Sequence, residues 1–96
     1  MTDLDRTAVE PLGYDGDLLR DMLRSIRSRG ASHIGHQWVQ RNVRCGGGKA
    51  RRLIHLAQDR DWLDVIPDGG RYLVLIPADR IDEAIEQTRA EEEGRG

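Results

Sequence analysis

Val39-Gln40-Arg41-Asn42-Val43-Arg44-Cys45-Gly46-Gly47-Gly48-Lys49-Ala50-Arg51-Arg52-Leu53-Ile54 reads as the end of one helix, a tight glycine turn and the start of a second helix. A tight turn between two short helices is how a chain presents one helix end to a groove. The glycines have two readings that can hold together: a turn with positive φ, which glycine adopts without steric cost, and a phosphate resting on the amides at the helix N-terminus. The second helix opens on a cluster of cations. If Ala50, Leu53, Ile54 and Ala57 face the core at i, i+3, i+4 and i+7, the 100° step per residue directs Gly48, Arg52, His55 and Asp59 outward, flanked by Lys49 and Arg51. This helix is expected over about residues 48 to 60.

Working outward, charge is sorted along the chain. The segment from Leu18 to Arg60 carries a net charge of about +8. The first seventeen residues carry about −4 and everything from Asp61 onward about −6. The formal total of −2 therefore conceals a basic middle between acidic ends. A clustered basic face is the electrostatic signature of a nucleic-acid partner.

Before the deciding stretch, Leu18, Leu19, Met22, Leu23 and Ile26 recur at helical spacing, with Asp15 or Gly16 as the start and Gly30 as the stop. The arginines of this helix are expected on its solvated face. Ala31 to Ile34 suits a short strand, and Gly35 opens a helix to about Val43. After it, Trp62-Leu63-Asp64-Val65-Ile66 and Arg71-Tyr72-Leu73-Val74-Leu75-Ile76 are β-rich runs flanking Pro67-Asp68-Gly69-Gly70, which predicts a hairpin. Pro77 ends it. Asp79 is placed to cap a last helix whose apolar stripe is Ile81, Ala84, Ile85 and Thr88. Glu91 to Gly96 is expected to fray.

Helix, short strand, helix, turn, helix, hairpin is the order of a winged helix-turn-helix. The expected class is thus a helix-dominated α+β fold, with three helices, a β-hairpin wing and an extra C-terminal helix. Residues 1–14 are expected to form a flexible acidic arm, 15–77 the domain, and 78–96 a terminal helix and frayed acidic tail. At 96 residues there is room for one small core. That core lacks Phe and draws on aliphatic residues with Trp38 and Trp62, of which Trp62 plugs the base of the hairpin.

Val39-Gln40-Arg41, a glycine turn, then Lys49-Ala50-x-Arg52-Leu53-Ile54 resembles the DNA-orienting gamma domain of FtsK-type translocases. It is similar in the same way to the winged-helix ends of actinobacterial conjugative translocases. The resemblance spans about Ala31 to Pro77. It implies a third helix that reads short duplex sequences from positions matching Gly48, Arg52 and His55, the residues the helical step already places outward. Gly48 stands where that family carries an amide side chain, and His55 where it carries an acid.

The expected nucleic-acid-binding residues are Arg44, Gly48, Lys49, Arg51, Arg52, His55 and Arg71. Arg52 at the start of a groove-facing helix suits guanine O6 and N7. Lys49 and Arg51 suit phosphates, Arg44 does so from the turn, His55 suits a base edge, and Arg71 suits a contact from the hairpin. The partner is then double-stranded DNA bound by a translocase-like module. One alternative is a small transcriptional regulator, in which the helix from Asp79 to Ala90 builds a homodimer. Another is a winged helix whose basic face meets an acidic protein.

Other chemistries fit less well. A nucleotide P-loop is excluded, because Val43 takes the place of the first glycine of the motif and Ala50 that of its Ser or Thr. His33, His36, Cys45 and His55 lack the spacing for a tetrahedral metal site, and no cofactor is implied. No nucleophile, base and orienter share a recognisable spacing, so neither catalysis nor a small-molecule substrate is expected. Without an apolar run of about 18 residues no membrane span is expected. The acidic N-terminus lacks the apolar stretch of a signal peptide, and the single Cys45 fits a reducing cytoplasm.

Overall fold

The computed structural model describes residues 12–67 and 69–94. Expectations for residues 1–11, for Asp68 and for the last two residues lie outside the described residues. Among the described residues, four α-helices and three short strands form a helix-dominated α+β domain: α1 (Gly16–Arg29), β1 (His33–Ile34), α2 (His36–Val43), α3 (Gly47–Asp59), β2 (Leu63–Val65), β3 (Tyr72–Val74) and α4 (Ile81–Gly94). A 3-10 turn, Ala78–Arg80, leads into α4.

Helix α1 ends where its sequence says it should. Gly30 has φ +60°, and its N–H bonds back to the last turn while Ala31 N–H reaches Ile26 O at 3.1 Å. Carbonyls left open by the helix end are thereby satisfied. The chain then forms β1, which adds to a hairpin. The sheet is antiparallel, in order β1-β3-β2, with Ile34 opposite Tyr72 and Leu63 opposite Val74. Ile34 and Leu63 are buried on its inner side, whereas Leu73 on the other face is exposed.

The core gathers Leu19, Met22, Leu23 and Ile26 of α1, Val39 and Val43 of α2, and Ala50, Leu53, Ile54, Leu56 and Ala57 of α3. Trp62 is buried at the hairpin base, and Trp38 is partly buried against the same cluster. The expected α3 stripe is therefore buried, joined by Leu56, which the i, i+3, i+4, i+7 pattern omits.

Four expectations change here. First, Leu12 is 1% exposed, so the packed core reaches a residue expected to belong to a loose arm, and it sits beside Asp15, which is 4% exposed. Asp15 N–H donates to Leu12 O, closing a turn through Gly13 at φ +61°. Second, Arg20 of α1 is buried rather than solvated. Its guanidinium bonds Asp17 at 2.5 Å, Glu92 at 3.0 Å and the Thr88 hydroxyl at 3.2 Å. Burial opposes its charge, but the two carboxylates outweigh that and hold its pKa above the ordinary value.

Third, Glu91 and Glu92 do not fray. The helix continues to Gly94, Glu91 pairs with Arg60 and Glu92 with Arg20. Fourth, Asp79 lies inside the 3-10 turn instead of capping α4. The expected stripe Ile81, Ala84, Ile85 and Thr88 is buried, with α4 packed on α1.

Candidate nucleic-acid interface

Between α2 and α3 the chain turns in an unexpected way. The residue in the left-handed region is Arg44, with φ +60° and ψ +62°, and its N–H donates to Gln40 O at 3.0 Å. An arginine thus fills the place that glycine usually takes after a helix. Gly46 is extended with φ −79°, while Gly47 and Gly48 form the first turn of α3. None of the three glycines has positive φ. A Cβ built on Gly46 or Gly48 meets nothing within 4 Å, and one on Gly47 meets only the Gln40 amide nitrogen, at 3.5 Å. The turn does not need these glycines, which corrects the expectation that backbone geometry explains them.

Two glycines in a helical first turn cost the fold about 0.5–1 kcal/mol each relative to alanine. In return they leave the start of α3 bare, so another molecule's surface can approach the backbone closely. Gly48, Arg51 and His55 are exposed along one stripe of α3. His55 Nε2 lies 3.6 Å from Asp59 Oδ2, one turn on. Arg44 is exposed at the mouth of the turn.

Lys49 and Arg52 are placed differently. The Asp15 carboxylate, just before α1, packs against the first turns of α3. Lys49 Nζ donates to Asp15 Oδ1 at 2.6 Å and Arg52 Nε to Asp15 Oδ2 at 2.5 Å. Burial pushes the Asp15 carboxyl up, yet the hydrogen bonds and charges of Lys49 and Arg52 prevail and hold it below the usual carboxylate value. Arg52 therefore does not stand at the centre of an outward stripe. It is half-buried on the flank, and its Nε is engaged inside the fold. Arg51, expected on the flank, is the exposed arginine beside Gly48 and His55.

Arg71 sits apart from this stripe. Its stem lies against the start of α2, with Cγ 3.6 Å from the position a Gly35 Cβ would take. Together with His36, Gln37, Trp38, Arg41 and Gly70 it lines an open cleft of about 380 Å³. His36 packs edge-on against Tyr72 beneath it, ring centres 5.9 Å apart. Arg41 belongs to this group and was not singled out from sequence. Its signal was an outward position on α2, opposite Val39 and Val43. Neither Arg41, Arg44, Arg51 nor Arg71 forms an ion pair with any described residue.

Among the described residues no three of His, Cys, Asp and Glu are grouped to hold a metal ion. Cys45 is half-buried, and burial pushes its thiol up despite the nearby Lys49 charge, which disfavours the reactive thiolate. No described helix is long and apolar enough to cross a membrane.

Comparison with protein-family models, with curated proteins and with solved structures finds no match to this chain.

Proposed function

We propose that this chain is a winged-helix module that binds double-stranded DNA, with α3 in the major groove and the β2–β3 hairpin as the wing. The observation that carries the reading is the bare first turn of α3, open at Gly48 and bordered by the exposed Arg44 and Arg51, neither in an ion pair among the described residues. The resemblance of residues 31–77 to translocase gamma domains supports the same partner. Arg51 and His55 face the base edges. Arg44 holds a phosphate from the turn, and Arg41 with Arg71 holds another beside the start of α2. Phosphate contacts fix orientation, and base contacts carry sequence preference. Cytoplasmic location accompanies this reading.

Selection of bound duplexes from a random pool, followed by titration of the preferred and a scrambled duplex at several salt concentrations, tests it. With two phosphates held, one by Arg44 and one by Arg41 with Arg71, the log–log salt slope is expected to be about −2. Arg51→Ala should flatten preference at one or two base pairs, at a cost of about 1–3 kcal/mol on the preferred site. A slope near zero, or binding to an acidic protein but to no duplex, contradicts the proposal.

Gly48→Ala separates the fold's needs from the ligand's. With open space around the added methyl group, it should raise stability by about 0.5 kcal/mol through helix propensity. On the DNA reading it should weaken duplex binding, because the methyl group enters the groove-facing surface. Thermal melting and anisotropy titration of the same variant report both effects. A stabilised variant with unchanged affinity would remove Gly48 from the interface.

A further inference from the structure

Lys49 and Arg52 stand on the flank of the helix assigned to the groove, yet both cations are engaged by one carboxylate that is 4% exposed. That carboxylate is held in place from behind. Leu12 is buried in the core, and the turn from Leu12 to Asp15 is closed by a backbone hydrogen bond. Asp15 also sits at the start of α1, where its carbonyl accepts from Leu19 N–H at 2.9 Å. Its backbone is thus fixed at the junction of the turn and α1. The cations differ in this respect: Lys49 is 43% exposed and Arg52 34% exposed along their side chains. The two oxygens of Asp15 meet one ammonium and one guanidinium edge, as two oxygens of a phosphate group would.

We infer that Asp15 is an internal competitor for phosphate: it occupies Lys49 and Arg52 and so keeps the flank of α3 from adding to backbone binding. The inference rests on the DNA reading above. Its consequence is a lower sequence-independent affinity, which leaves the exposed stripe of α3 a larger share of the discrimination between duplexes. In the native chain Lys49 and Arg52 then contribute little to the salt slope. With the carboxylate neutralised, Lys49 becomes available to phosphates and Arg52 loses one of its partners.

Asp15→Asn keeps the size and hydrogen-bond acceptor of the side chain while removing its charge. Binding is measured for the full chain and this variant, on a scrambled duplex and on inorganic polyphosphate, between 50 and 200 mM salt. The variant is expected to bind the scrambled duplex more tightly, with a salt slope steeper by about 0.9 for each further phosphate neutralised, one or two in all. Its advantage should therefore shrink by about 3.5-fold per phosphate across that salt range. Adding Lys49→Gln and Arg52→Gln to Asp15→Asn should abolish the advantage. An unchanged slope in a folded Asp15→Asn protein overturns the inference, and if Arg51→Ala still weakens duplex binding, the DNA reading survives it.

Tighter polyphosphate binding by the variant, with no duplex binding by either protein, upholds the competition and overturns the DNA reading. No increase on either ligand overturns the competition. Where Asp15→Asn does not fold, Lys49→Gln/Arg52→Gln in the native chain decides. An unchanged salt slope supports the inference, and a slope reduced by about two units means that Asp15 never withheld those cations.

Discussion

Deleting the chain after Ala90 should destabilise the domain by about 3 kcal/mol, with a fall in melting midpoint on the order of 10–20 °C. Composition alone argues the reverse, because Glu91-Glu92-Glu93 looks like a solvated tail whose loss relieves repulsion. The structure uses the first two. Arg60 has a side chain only 2% exposed, paired with Glu91, and Arg20 is 7% exposed, paired with Glu92. Stripping a carboxylate from a buried guanidinium leaves a desolvated charge poorly compensated, which costs about 3–5 kcal/mol where the pair is fully enclosed. Glu91 and Glu92 are themselves 27% and 33% exposed, so solvent screening reduces the loss at each. Arg60 keeps its bond to Leu56 O, and Arg20 keeps Asp17, which reduces it further. Two such losses still remove a large part of the stability of a domain this size. Thermal melting checks this against Glu93→Gln, an exposed neighbour expected to change stability by less than about 0.5 kcal/mol. If the truncated chain melts with the intact one, the two ion pairs are surface contacts of no consequence.

What could be read from the sequence follows the range of the forces involved. Gly30 marks the end of α1 because a left-handed cap is a local requirement. The buried stripe of α3 and the hairpin are likewise written in short-range periodicity. Asp15 meets Lys49 and Arg52 across 34 and 37 positions, and no helical wheel specifies which neighbouring element lies on its flank. The wheel therefore placed Arg52 outward when a carboxylate draws it sideways, and it gave Arg51 the lesser role. Arg20 shows the same limit. An arginine opposite an apolar stripe looks solvated until α4 and its acids arrive beside it. The turn before α3 failed for a different reason. Three glycines suggest where positive φ belongs, but the chain places it two residues earlier, where Arg44 N–H closes on Gln40 O. That displacement is informative, since it releases the glycines from a structural duty and makes the bare start of α3 a feature of the surface.

Leu56→Ala should cost about 2–5 kcal/mol, although the i, i+3, i+4, i+7 pattern of α3 passes over this residue. Leu56 lies within the buried arc on the same side as Lys49, and it is fully buried with Leu53, Ala50 and Ala57. Removing its three outer carbons gives up their transfer energy and leaves a cavity that a close-packed interior fills only in part. Leu56 also carries the carbonyl that accepts from Arg60 at 2.9 Å, so relaxation of this turn reaches the anchor of α4. His55, one position earlier, is exposed and should tolerate alanine within about 0.5 kcal/mol. The two neighbours should therefore separate by readout. Leu56→Ala lowers the denaturant midpoint and leaves the salt slope of duplex binding intact under conditions where the variant is folded. His55→Ala keeps the midpoint and alters preference among duplexes. A Leu56→Ala protein as stable as the parent would mean that α3 is rotated from its described face, and the assignment of Gly48, Arg51 and His55 to the groove would fall with it.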